Sequence, residues 1–274
     1  MPHLETPRGL TWHYDCEGEG PPLLFLHGWG VNRRIWRQQS KYFSRRYRTL
    51  SVDLPGHGQT SWQPVSLRDI AGDIGFLLKR LRLDRVGVVA SSFGGLVALQ
   101  MFELFPERIG FFIFAGSQPK FSRSDDYPFG LEAARIRKLA SQVQTHYPGM
   151  VNIFFRSLFT RQERESRRFR WIQTFRKTDD LPRQEALLEI LNILEKEDLR
   201  HVLEKVDRPI QFITGTEDYI CTKDCLISLQ TKIPHARLDW FERCGHFPFL
   251  SRPHEFNQVM EEFISGRPCP VAGG

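Results

Sequence analysis

No run of apolar residues in this 274-residue chain approaches the ~20 that a membrane-spanning helix requires. The opening stretch, Met1 to Gly20, carries charge throughout and lacks the apolar centre of a secretory signal, so export is not expected. Cysteine is sparse. The five, at Cys16, Cys221, Cys225, Cys244 and Cys269, are odd in number and scattered, which suits reduced cytoplasmic thiols better than a disulfide framework. Cys221 and Cys225 have no second pair to complete a tetrahedral zinc site. Also missing are a Gly-x-x-x-x-Gly-Lys phosphate loop, a dinucleotide glycine fingerprint after a strand and a His-Glu-x-x-His helix. Nucleotide and metal chemistry therefore leave no trace, and neither a metal nor a cofactor is expected.

What is present is an ordinary globular balance, 41% hydrophobic and 26% charged, with 22 phenylalanines that promise a generous core and an apolar pocket. Short apolar runs alternate with longer amphipathic ones, the mark of a mostly parallel sheet covered by helices. Strands are expected at Leu23–Leu26, Thr49–Leu54, Val86–Ala90 and Gly110–Ala115. A helix over Ser66–Leu81 with Ser66 as N-cap, and a second over Gly94–Phe105, fall between them. From about Gln118 to Val206 the strand signal vanishes, leaving charged, helical sequence broken at Tyr127-Pro128 and Tyr147-Pro148-Gly149. Strands resume at Pro209–Thr214 and Leu238–Phe241, a last helix follows over Pro253–Ile264, and the tail from Gly266 is expected to fray. The layout predicts a core of residues 1–117 and 207–274, interrupted by a helical cap over 118–206.

The sharpest signal is Ala90-Ser91-Ser92-Phe93-Gly94-Gly95, directly after a strand and before a helix. A serine at a tight strand-to-helix turn projects its hydroxyl from the carboxyl end of the sheet, and small residues two before and two after it let neighbouring backbone approach. Ser92 has Ala90 and Gly94 there, whereas Ser91 has Val89 and Phe93, so Ser92 is the expected nucleophile. A hydroxyl needs a base to take its proton. His246, in Cys244-Gly245-His246-Phe247-Pro248-Phe249, follows the last strand, and Asp218, in Thr214-Gly215-Thr216-Glu217-Asp218, follows the strand after the insertion. The order Ser, Asp, His is that of the α/β-hydrolase fold, and Asp218 is preferred to its neighbour Glu217. The oxyanion donors are expected to be the backbone N–H groups of Phe93 and of Trp29, the latter in Leu26-His27-Gly28-Trp29-Gly30. His27 is read as a brace for that loop, and His57, in Asp53-Leu54-Pro55-Gly56-His57-Gly58, as part of a structural turn. Serine at the elbow, rather than aspartate, argues against a dehalogenase or epoxide hydrolase.

With these motifs in hand, the chain resembles the pimeloyl-acyl-carrier-protein methyl ester esterases of biotin synthesis. The likeness lies in the loops Leu26–Gly30 and Asp53–Gly58, in Ser117-Gln118-Pro119-Lys120-Phe121-Ser122, and in Gly245–Pro253. A weaker echo runs over Leu191–Leu203. The resemblance implies a serine esterase that removes the methyl group of a pimeloyl chain borne on acyl carrier protein. The scattered cysteines, the lack of a span and the lack of a nucleic-acid reading motif make a cytoplasmic protein without membrane or nucleic acid as partner the expectation; its oligomeric state stays open, a monomer being the simplest. The resemblance also implies cap arginines that grip the acidic carrier. Between Arg156 and Lys177 stand eight basic against two acidic residues, a surplus equal to the whole net charge of +6. Arg156, Arg161, Arg164 and Arg168 are the expected contacts, with Arg161, Arg164 and Arg168 on one face if the segment is a single helix. A general short-chain carboxylesterase, a lactonase and a carbon–carbon bond hydrolase are the alternatives within the fold; a binding module without turnover is the alternative outside it. Ser91 stands where the best-known relatives have tryptophan, and a smaller side chain there is expected to alter the pocket wall.

Overall fold

The computed structural model describes residues 2–176 and 180–266. Eight strands form one sheet: β1 (His3–Glu5), β2 (Thr11–Glu17), β3 (Pro22–Leu26), β4 (Arg48–Val52), β5 (Val86–Ser91), β6 (Ile109–Ala115), β7 (Ile210–Gly215) and β8 (Arg237–Phe241). Their spatial order is β1-β2-β4-β3-β5-β6-β7-β8. β2 pairs antiparallel with β1 and β4, and every pairing from β4 across to β8 is parallel. The parallel strands are apolar without alternation because helices cover both faces; β5 and β7 are buried along their whole length. β1 and β2 were not anticipated. β2 alternates buried and half-buried residues, Trp12 and Tyr14 inward, and ends in the polar Asp15-Cys16-Glu17, the pattern of a strand covered on one side.

The helices follow from their sequences. Leu67–Arg80 begins with a capping box in which Ser66 and Asp69 each accept the other's backbone N–H. Its Ile70, Ala71, Ile74, Leu77 and Leu78 are buried. Phe93–Leu104 is buried from Phe93 through Phe102, as an apolar-all-round sequence demands. Its start can press on the sheet because Gly94 and Gly95 lack side chains: a Cβ on Gly94 would stand 2.7 Å from the His27 carbonyl oxygen, and one on Gly95 would be 1.9 Å from the Ser117 hydroxyl. Among the described residues, six helices lie between β6 and β7: Ala133–His146, Gly149–Ser157, Arg161–Glu165, Arg167–Arg176, Gln184–Lys196 and Arg200–Leu203. The last helix is Pro253–Ser265. The tail beyond Gly266, Cys269 with it, and Lys177 of the basic window lie outside the described residues.

β3 has β4 on one side and β5 on the other. The chain therefore leaves these central strands in opposite directions, which opens a crevice beyond their carboxyl ends. The loops after β3 and β5 border that crevice.

Candidate active site

Ser92 joins β5 to the helix Phe93–Leu104 with φ 52° and ψ −121°, left-handed backbone that a non-glycine residue holds only at a cost of about 1–3 kcal/mol. Its surroundings enforce the conformation. The Ser92 N–H donates to the Ala115 carbonyl at 3.1 Å, and the Ser92 carbonyl accepts from Gly95 N–H at 2.9 Å and from the Ser117 hydroxyl at 2.8 Å. A Cβ on Gly28 would lie 3.0 Å from Ser92 Cβ, so the loop after β3 can close on the serine only with glycine there. The adjacent Ser91 belongs to β5 and is wholly buried. Among the described residues the wall of the central cavity does not include it.

Asp218 and His246, which follow β7 and β8, meet each other. Asp218 Oδ2 is 2.7 Å from His246 Nδ1, with the residues 5% and 2% exposed. An ionised carboxylate only accepts, so Nδ1 is the donor in this contact. The carboxylate is fixed by its other contacts: Oδ1 accepts from Ile220 N–H at 2.8 Å and Cys221 N–H at 3.1 Å, and Oδ2 from the Thr214 hydroxyl at 3.1 Å. Burial raises the Cys221 thiol well above its ordinary value; it stays protonated and donates to the Ser117 carbonyl at 3.1 Å. Glu217, the alternative acid, is exposed. Gly116, unnoticed in the sequence, has φ 56°, and a Cβ there would be 2.9 Å from His246 Nδ1.

Two buried histidines brace the loop after β3. His27 Nε2 accepts from Leu54 N–H at 2.9 Å, which leaves Nδ1 to donate to the Gly28 carbonyl at 2.8 Å. His57 Nε2 accepts from Gly30 N–H at 3.3 Å and its Nδ1 donates to the Pro55 carbonyl at 3.1 Å. Each ring crosses between the loops after β3 and β4, on either side of Trp29. Burial lowers His27 to about 4 and His57 to about 3 from 6.5. Both are neutral in the fold but take up protons below pH 6.5 once unfolded, so the unfolded state gains as pH falls. The melting temperature is expected to drop progressively from pH 6.5 towards pH 4, and more gently in His57→Gln; thermal melts across that range check it. A flat profile would contradict the buried neutral pair.

Ser92, His246, Gly28 and Trp29 face one cavity of about 490 Å³, within the usual range for small-molecule sites. Its walls are mainly apolar, with Leu139, Met150, Phe154, Leu158, Leu191 and Leu194 among them. Arg135, Lys138 and Gln142, from the helix Ala133–His146, supply polar lining, together with Ser157 and Tyr219. Arg135 and Lys138 are exposed, and the Arg135 guanidinium lies 4.7 Å over the Tyr219 ring. The Trp29 indole donates to the Leu187 carbonyl at 2.9 Å and stands edge-on to Phe154.

A profile described as "Alpha/beta hydrolase family" matches residues 23–259. The chain belongs to that family. It is 32% identical over 248 residues to a pimeloyl-[acyl-carrier protein] methyl ester esterase of Nitrosomonas europaea, covering 89% of this chain and 96% of the relative, which places it among those esterases. The enzyme of the same name from Aeromonas hydrophila is 27% identical over 254 residues, 90% of this chain and 96% of its own. In structure, the hydrolase superposes on an esterase from Exiguobacterium antarcticum with a TM-score of 0.87 at 23% identity, over 96% of this chain and 98% of that one.

The basic window of this hydrolase is not a single helix. It breaks at Ser166 into Arg161–Glu165 and Arg167–Arg176, so the shared face expected for Arg161, Arg164 and Arg168 does not form. Arg164 turns inward and donates to the Phe159 carbonyl at 2.6 Å. Arg168 is half-buried, donates to the Leu250 carbonyl at 2.7 Å and to Gln38, and stacks on Trp171. Arg156 and Arg161 are exposed, as are Arg167 and Arg170. None of the four expected arginines lines the cavity among the described residues; the cations that do are Arg135 and Lys138. Their one sequence signal was a spacing of three on an amphipathic helix, which marks a common face but not what it borders.

Proposed function

We propose that this hydrolase is a serine carboxylesterase that cleaves the methyl ester of pimeloyl-acyl-carrier protein, releasing methanol and the free terminal carboxylate for biotin synthesis. The buried contact between Asp218 and His246, beside a strained Ser92 on the same cavity, carries the esterase reading. The relatives in Nitrosomonas and Aeromonas bear that enzyme's name, and the mainly apolar lining suits a chain of methylenes.

Ser92 Oγ attacks the ester carbonyl as His246 Nε2 removes its proton. The Trp29 and Phe93 N–H groups hold the resulting oxyanion, each donor being worth roughly 3–4 kcal/mol in the transition state. Asp218 stabilises the imidazolium, which then gives its proton to the departing methanol. Water, activated by the same imidazole, opens the acyl-enzyme and restores Ser92. In this reading the helices between β6 and β7 form the cap. The acyl chain leaves past Arg135 and Lys138, and the exposed Arg156, Arg161, Arg167 and Arg170 offer a positive surface to the acidic carrier.

The purified protein is expected to release methanol from pimeloyl-acyl-carrier-protein methyl ester and to restore growth of a biotin-requiring strain that lacks its own esterase. Failure of both with a well-folded protein would overturn the substrate assignment. The double variant Arg135→Glu/Lys138→Glu is expected to raise KM for the carrier-borne ester about tenfold or more, while p-nitrophenyl ester hydrolysis stays near normal. Low salt should widen that contrast, since exposed charges are screened over about 8–10 Å at physiological ionic strength.

A further inference from the structure

The chemistry above makes no use of Glu163, yet both of its carboxylate oxygens are engaged. Oε2 accepts from Thr160 N–H at 2.7 Å and from Gly245 N–H at 3.0 Å, and Oε1 accepts from the Cys244 thiol at 3.0 Å. The bond to Thr160 belongs to a capping box at the start of Arg161–Glu165, which the Thr160 hydroxyl completes by accepting from Glu163 N–H at 3.1 Å. Helix capping needs nothing more. The other two bonds leave the helix and cross to the two residues immediately before His246.

Those residues have little freedom of their own. Burial, reinforced by the carboxylate, pushes the Cys244 thiol far above its ordinary value, so it keeps its proton and remains a donor. A Cβ on Gly245 would come within 2.4 Å of the Leu158 carbonyl oxygen, and the His246 N–H donates to that same oxygen at 2.8 Å. Three successive residues, 244 to 246, are thus tied to the stretch 158–163. Hydrogen bonds to an ionised acceptor are about twice as strong as neutral ones, so Glu163 supplies the firmest of these ties.

We infer that Glu163 is a positioning residue for the general base: by holding the Cys244 thiol and Gly245 N–H, it fixes the loop from which His246 reaches between Asp218 and Ser92. The inference rests on the assignment of His246 as the base. Misplacing a catalytic group by about 1 Å can cost on the order of a hundredfold in rate, and the loss appears in kcat, because the cavity that binds substrate is untouched.

The test uses p-nitrophenyl ester hydrolysis, which needs no carrier. Glu163→Ala is expected to lower kcat roughly 10- to 100-fold with KM little changed. Glu163→Gln, whose amide oxygen can still accept from Gly245, should recover most of the loss. Thr160→Ala breaks the same capping box but leaves Glu163 facing the loop, so its kcat should stay near normal. The Gly245 amide proton, followed by NMR, should move upfield in Glu163→Gln as its acceptor loses charge, a readout that holds even if the alanine variant folds poorly. Equal kcat losses in Thr160→Ala and Glu163→Ala, normal kcat in Glu163→Ala, or an unmoved Gly245 resonance would overturn the inference. Ser92→Ala in the same assay separates the two levels: full activity there would sink the serine mechanism itself.

Discussion

Ser92→Ala is expected to lower turnover of simple esters by about a millionfold, the scale of losing a nucleophile that acts in concert with its base. The magnitude follows from the division of labour in the crevice. Without Oγ, His246 has no proton to take and no acyl-enzyme forms. Only the oxyanion donors and substrate binding remain, which sustain roughly 10³–10⁴-fold over the reaction in water. The variant should fold as the parent does, since the Ser92 contacts that shape the turn run through backbone N–H and carbonyl groups. Steady-state rates, with a fluorophosphonate probe to count active serines and exclude contaminating enzyme, give the measurement. Hydrolysis within tenfold of the parent would remove Ser92 from its role.

Asp218→Asn should cost about 10⁴-fold in kcat with the fold intact. The surroundings determine how the new amide sits. Ile220 N–H and Cys221 N–H both donate to Oδ1, so the amide oxygen stays there and the NH₂ group takes the position of Oδ2, facing His246 Nδ1. Two donors cannot face each other, so the imidazole moves its proton to Nε2, where it can no longer accept one from Ser92. Glu217, exposed one residue earlier, does not replace the carboxylate, and Glu217→Gln should behave as the parent. A kcat for Asp218→Asn within a factor of ten of the parent would mean that the acid lies elsewhere.

The central strands and the three candidate catalytic residues were legible in the sequence because their signals are local. The strand-turn-helix at Ala90–Gly95 narrows the serine to one position by sterics alone, and the acid and the histidine each follow a strand that reads as apolar. β1 and β2 escaped because their burial is one-sided and β2 ends in charge. The basic window misled for a different reason. Thr160 and Glu163 spell a helix start, and Ser166 follows soon after, yet the run of arginines between and beyond them has helical character that hides the break. Where those helices pack, and that Arg135 and Lys138 reach the cavity, depends on contacts between segments far apart in the chain, which no local pattern encodes.

The indole N–H of Trp29 reaches the Leu187 carbonyl, the Arg183 N–H bonds the Gly56 carbonyl at 2.7 Å, and His246 leans by its main chain on Leu158. Each bond stitches a loop at the carboxyl edge of the sheet to the stretch between β6 and β7. An engineer who transplanted a different insertion onto this scaffold, hoping to change its substrate, would cut all three stitches at once. Such a chimera would need an acceptor for the tryptophan, a donor for the turn at Gly56 and a carbonyl under the histidine before any new specificity could be expressed. Retargeting by single substitutions along the wall, at Leu139, Met150 or Leu191, leaves that stitching whole.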